Sequence, residues 1–193
     1  MYKLCKTEQS AQRQRQLENG LLQMMSLKRY EEISVSDLCE YMQVPRKSFY
    51  RYFSSKDGAL YALLDHTLME YEGFTGAYRE GTPRSLQKDL ERFFLFWVQH
   101  KGLLDALQRS GMSGVLIERS ISHALSEMVL PKRFLPQETE ETVRHVTMFC
   151  VCGLMSMVLS WHHDGYNQTA DKMATIACRL LDKPLFPSAE SFF

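Results

Sequence analysis

Arg46, Lys47, Ser48, Tyr50, Arg51 and Tyr52 fall within seven consecutive positions, and that mixture of cations, hydroxyls and rings suits a polyanion. Guanidinium and ammonium groups bind guanine edges and phosphate oxygens, and hydroxyls bind phosphate oxygens. At about 100° per residue in a helix, Phe49 and Phe53 share one face. Lys47 and Arg51 then point almost directly away from it, with Ser48 on one flank and Arg46 and Tyr50 on the other. The expectation is a cationic ridge held outward because the two phenylalanines are anchored on Leu38 and Met42 beneath. The plainer alternative is an ordinary solvated face, although two tyrosines among three cations are unusual there.

A ridge of this kind needs a rigid mount, and the surrounding periodicity supplies one. Leu17, Leu21, Met24 and Met25 recur at helical spacing, which predicts a first helix from Glu8 to Leu27. A short helix over Val35–Gln43 follows, with Ser34 as its N-cap and Asp37 three residues on as a variant capping box. Val44-Pro45 interrupts it, because the residue before proline disfavours helical geometry and proline suits a first helical position. The next helix starts there and stops near Ser54-Ser55, whose hydroxyls can cap a fourth helix starting at Lys56. That helix turns Leu60, Leu63, Leu64, Leu68 and Tyr71 inward and links two halves of the chain.

Thr82-Pro83 predicts the start of a fifth helix, with Leu86, Leu90, Phe93, Phe94 and Trp97 on its inner face and Gly102 closing it. Helices over 103–109 and 113–130 precede a loop bounded by Pro131 and Pro136. A long helix over 138–163 and a last one over 169–181 complete the pattern, with Met173, Ile176, Ala177, Leu180 and Leu181 on one face of the last, before a tail over 185–193. No stretch alternates as a strand would. The expected class is all-α, with about nine helices: a three-helix helix-turn-helix domain over 1–55, then a second helical domain over 56–193.

The 193 residues and 45% hydrophobic content allow a substantial core and argue against global disorder. Net charge is zero, yet residues 1–60 carry +3 and the remainder −3, so the basic end is the one suited to a polyanion. Cys5, Cys39, Cys150, Cys152 and Cys178 are odd in number and form no C-x-x-C pair, which points to a reducing cytosol. The polar stretch from Met1 to Gln16 lacks a secretory apolar run. Val146–Trp161 is short for a membrane span and contains Thr147, Ser156 and Ser160, so it reads as a buried helix.

The stretch from Tyr30 to Leu60, YEEISVSDLCEYMQVPRKSFYRYFSSKDGAL, resembles the signature of the TetR family of repressors. Ser48-Phe49-Tyr50-Arg51-Tyr52-Phe53 and Ser55-Lys56-Asp57-x-x-Leu60 carry most of the resemblance, which covers roughly residues 8–65. Trp161 and Gly165 before a final helix add a weaker match. The resemblance implies that Arg46, Lys47, Ser48 and Arg51 face base edges or adjacent phosphates. It likewise implies backbone contacts from Tyr50, Tyr52, Lys56 and Ser36. Three positions depart from the family, where glycine is usual: Arg29, Gln43 and Lys47. Gln43 falls where the turn wants a positive φ, at a cost of about 1 kcal/mol for a residue with a side chain.

The same resemblance implies a homodimer formed through the last two helices, about 138–163 and 169–181. Recognition helices would then meet half-sites about 34–36 Å apart, and a small-molecule ligand would release the DNA by favouring another spacing. Val146–Trp161 is apolar around its whole circumference, which a four-helix interface would bury, and Gly153 would allow close approach. Phe93, Phe94, Phe96 and Trp97 form an aromatic stripe that is either core or pocket lining. The family habit adds Phe74, Tyr78, Met112 and Met128 to a pocket for an apolar ligand, with Met148, Phe149 and Cys152 from the long helix. His145 is either a ligand contact or a structural residue.

His162 and His163 end the long helix, where partial positive charge suits the dipole, and their rings diverge too far to hold a metal. No Gly-rich phosphate loop, G-x-S-x-G elbow or H-E-x-x-H motif is present, so neither enzyme activity nor a cofactor is expected. Lys3 and Lys6 are either a disordered tail or a minor-groove arm. The competing reading of the whole chain is a helical ligand- or partner-binding module that keeps the fold without binding an operator.

Overall fold

Thr7 opens the first helix by accepting the Ser10 amide on its hydroxyl at 3.2 Å, which satisfies one of the amides a helix start leaves unpaired. The computed structural model describes residues 2, 3, 5, 7–76, 85–127 and 138–182. Nine α-helices lie among them: α1 Glu8–Leu27, α2 Val35–Tyr41, α3 Arg46–Tyr50, α4 Lys56–Gly76, α5 Leu86–Gln99, α6 Lys101–Arg109, α7 Ser113–Glu127, α8 Glu140–His163 and α9 Ala170–Asp182. A single turn of 3-10 helix spans Tyr30–Glu32, and the described residues contain no strand beyond one isolated bridge between Tyr2 and Phe53. The all-α class expected from periodicity is the class observed.

Contacts divide the chain into two units, Met1–Glu70 with Lys101–Glu127, and Tyr71–His100 with Met128–Phe193. In the first, Leu21, Met25, Ile33, Leu38, Phe49, Phe53, Leu60, Leu64, Leu104 and Leu116 are fully or almost fully buried. Gly20 lets α1 approach α2, since a Cβ there would meet the Met42 sulfur. Arg109 at the end of α6 donates to the carbonyls of Met25 and Ser26; α1 has no basic residue in its own last turn, so α6 supplies the cation that a helix C-terminus favours. Ser110 accepts the Tyr30 amide at 3.0 Å. Buried Asp65 on α4 accepts two donors of the Arg119 guanidinium on α7, one of them Nε at 2.7 Å.

The second unit is built around α5 and α9. Ala174 and Ala177 are buried at 0% and 1% exposure, and such small residues let α9 lie close to α5. Gln87 reaches across to the Thr175 hydroxyl at 2.9 Å. Leu90, Phe94, Phe96 and Trp97 fill the inner face of α5, joined by Met155, Val158 and Trp161 of α8, and the Phe94 and Trp161 rings meet edge to face at 5.7 Å. Gly165 and Tyr166 both take positive φ, 69° and 59°, and the turn is fixed by Trp161 Nε1 donating to the Gln168 carbonyl at 3.1 Å.

Several boundaries differ from expectation. The α2 helix ends at Tyr41 and α3 at Tyr50, because Met42–Val44 and Arg51–Phe53 close in tighter turns. Gly102 does not close α5; His100 does, donating its amide to the Trp97 carbonyl at 3.1 Å, and Gly102 lies inside α6. On α9, Met173 and Ala177 point inward, but Ile176, Leu180 and Leu181 stay exposed. Helix α8 is not buried all round: Thr147, Val151, Met155 and Val158 face inward, while Val146 and Phe149 are exposed. By length and composition alone α8 could cross a membrane, but it carries an inner packing face. The packing division falls within α4, between Glu70 and Tyr71, and places α6 and α7 with the first unit. Thr82-Pro83, Pro131, Pro136 and the tail over 185–193 lie outside the described residues.

Candidate nucleic-acid interface

Helix α2 starts on a reciprocal cap: the Ser34 hydroxyl accepts the Asp37 amide at 3.1 Å and the Asp37 carboxylate accepts the Ser34 amide at 2.9 Å. Those hydrogen bonds, with Lys28 nearby, hold the Asp37 carboxyl below the usual carboxylate range. At the other end the chain turns through Gln43 at φ 53°, and the Val44 amide reaches back to the Cys39 carbonyl at 2.9 Å. This left-handed residue reverses the chain in a single step, and extended Pro45 then caps α3.

Two rings anchor α3. Phe49 is 0% and Phe53 1% exposed, their centroids 5.2 Å apart. Arg46, Lys47 and Arg51 are exposed, Ser48 is half-buried, and Tyr50 is 52% exposed while leaning edge-on against Phe49 at 5.5 Å. No described residue forms an ion pair with Arg46, Lys47 or Arg51. Neighbouring cations differ in this respect, since Arg15 pairs with Glu70, Lys28 with Asp37, and Arg29 with Glu31 and Glu32. The ridge is therefore a local excess of uncompensated positive charge with free hydroxyls beside it, the chemistry that phosphate binding requires. Ser36 is half-buried in the first turn of α2.

Two of the anticipated contact residues sit elsewhere. Tyr52 is 7% exposed, its ring tilted against Phe53, so it belongs to the mount and not to the ridge. Lys56 is half-buried: Nζ donates to the carbonyls of Tyr30 and Ile33, each at 2.6 Å, and lies 4.0 Å above the Tyr30 ring. Burial pushes its pKa down, opposed by Asp57, Glu31 and Asp37. The Tyr30 hydroxyl donates to Asp57 at 2.6 Å, and burial with that acceptor raises its pKa strongly. Lys56 thus pins the 3-10 turn to the start of α4. The role of Lys56 was not legible in sequence, because its partners lie more than twenty residues away.

The proposed pocket set is only partly assembled. In the second unit Phe74, Phe93 and Trp97 join a ring cluster with Tyr71, Phe96 and His100, Phe74 meeting Phe96 at 5.8 Å and Phe93 meeting Trp97 at 6.5 Å. Trp97 is 1% exposed and its Nε1 has no hydrogen-bond partner among the described residues. Phe149 is 70% exposed and His145, its Nδ1 turned to the Glu141 carbonyl at 2.8 Å, is also exposed, so both lie off that cluster. Met148 and Cys152 are half-buried on α8, and Met112 belongs to the first unit. Tyr78 and Met128 lie outside the described residues.

No known family model matches the sequence, and no curated protein matches it. Solved structures do. The fatty acid degradation regulator FadR from Bacillus halodurans superposes with a TM-score of 0.62 at 14% identity, over 94% of this chain and 98% of that one. The dihydroxyacetone kinase operon activator DhaS gives 0.55 at 13% identity, over 88% and 93%. A TetR-family transcriptional regulator from Streptomyces coelicolor gives 0.51 at 18% identity, over 86% and 77%. At these identities the likeness is one of fold, and the fold is TetR-like.

Proposed function

We propose that this TetR-like chain is a DNA-binding transcription regulator, with α2, the Gln43 turn and α3 as its helix-turn-helix. The observation that carries the reading is the exposed, unpaired set Arg46, Lys47 and Arg51 above the buried Phe49 and Phe53. Arg46, Lys47, Ser48 and Arg51 are assigned to base edges and adjacent phosphates, and Tyr50 and Ser36 to the backbone. Lys56 and Tyr52 are assigned to holding the unit together. The chain acts in the cytoplasm as a homodimer through α8 and α9, on an inverted repeat. It is a repressor that a small apolar ligand releases, with Trp97 and its ring cluster the part of the second unit best suited to receive it. Two of the similar structures, FadR and DhaS, are a regulator and an operon activator, which accords with a regulatory role.

Anisotropy titration of duplex DNA over a range of salt tests this reading. Phosphate contacts predict that log K falls with log salt at about 0.9 per contact, and selection from a random pool should recover an inverted repeat. Binding indifferent to salt, or no enrichment, refutes operator recognition and leaves a ligand- or partner-binding module.

A further inference from the structure

Tyr2, Lys3 and Cys5, ahead of α1, are held by the first unit. Tyr2 forms an antiparallel bridge with Phe53, and the Lys3 amide donates to the Tyr52 carbonyl at 3.0 Å. The Tyr2 hydroxyl donates to Asp65 at 2.8 Å, and its ring lies edge-on to His66 at 5.9 Å. Asp65 is itself gripped by Arg119. Two residues on, the Cys5 thiol donates to Gln14 Oε1 at 2.8 Å. These contacts to three separate elements hold Tyr2, Lys3 and Cys5 in place, and Lys3 is exposed between the other two.

From this arrangement we infer that Tyr2, Lys3 and Cys5 belong to a docked arm that presents Lys3 as a further DNA-phosphate contact beside the end of α3, with Tyr2 as its positioning residue. The Lys3 amide pairs with Tyr52, the residue directly after Arg51, and opposed backbones in such a pair are about 5 Å apart. Phosphates along one strand follow at a rise of about 3.4 Å. A second cation so close to the Arg51 backbone therefore meets a neighbouring phosphate on the same strand. Lys3 pairs with no described carboxylate, and docking the arm in advance removes the ordering cost a free tail would carry on binding. A point charge on a flexible stem recognises phosphate and reads no base.

The inference rests on the DNA-binding reading, so its test separates the two. The full chain with an unmodified N-terminus is titrated against the selected duplex and a random duplex of equal length across a salt series. Lys3→Ala should reduce the salt slope by about 0.9 and weaken both duplexes alike, by about eight-fold at 0.1 M salt. Lys3→Arg should restore both. Tyr2→Phe keeps the ring and removes the hydroxyl; it should lower the slope part of the way. A merely structural Tyr2 would lower the melting temperature and leave the slope unchanged. Lys3→Ala that binds with parental affinity and slope, or loses affinity for one duplex only, overturns the inference while Arg51→Ala still weakens and blurs recognition of the selected duplex. Parent protein that binds neither duplex removes the functional reading and this inference together.

Discussion

Arg51 is exposed at the end of α3 with no described carboxylate beside it, whereas Lys56, five residues on, places Nζ 2.6 Å from two carbonyls. Their substitutions should separate binding from folding. Arg51→Ala should cost about 1–3 kcal/mol on the selected duplex and blur discrimination between sites, while binding to random DNA changes little; comparing the two titrations checks it. Lys56→Met keeps the stem and leaves the Tyr30 and Ile33 carbonyls without their shared donor. It should lower unfolding free energy by about 2 kcal/mol in denaturant melts, with the salt slope of the folded protein unchanged. A loss of slope in Lys56→Met at full stability would return that ammonium to the DNA face.

At the scale of elements, the helix-turn-helix is rigid because its caps and turn are specified locally. The exception is Gln43, a long side chain held at φ 53°. Gln43→Gly should relieve that strain and raise stability by about 1 kcal/mol, offset in part by the greater freedom of glycine in the unfolded chain; a shift in denaturation midpoint with unchanged m-value reads it. The arm is a second such element. Burial and Asp65 push the Tyr2 phenol up to about 12 from its ordinary value of 10.0. A raised folded pKa means its contribution is fully present below pH 10 and is lost as pH climbs through about 12. Alkaline unfolding of the parent should steepen across that window, and Tyr2→Phe should lose the Tyr2 share of the steepening while the part due to Tyr30, whose phenol is also raised, remains. Sequence made the cap at Ser34 and the break at Pro45 legible, because each depends on residues within four positions of one another, and the family resemblance marked the left-handed position at Gln43. It hid the burial of Tyr52, the capture of Lys56 and the docking of Tyr2, since their partners are brought near only by tertiary packing.

For the whole molecule, the decisive feature is what the second unit leaves uncovered. Helix α8 puts Thr147, Val151, Met155 and Val158 inward but exposes Val146, with Phe149 at 70%, and α9 exposes Ile176, Leu180 and Leu181. Periodicity registered the apolar circumference of α8, but a single chain cannot say which part a partner would cover. Around Gly153 nothing lies within 4 Å of where a Cβ would stand, so a facing helix could approach there without displacing the chain's own atoms. If a second copy covers this surface, Phe149→Asp should leave the fold intact, because the ring touches water in the single chain, yet bury an unpaired charge in the dimer. Sedimentation velocity should show the parent as a dimer and Phe149→Asp shifted to monomer by more than ten-fold in dissociation constant, with equal helical content by circular dichroism. The inverted repeat should then lose affinity steeply while a single half-site is bound as before, since one recognition helix makes the same phosphate contacts in either state. A monomeric parent at micromolar concentration, or a Phe149→Asp dimer as tight as the parent's, would place the subunit contact elsewhere.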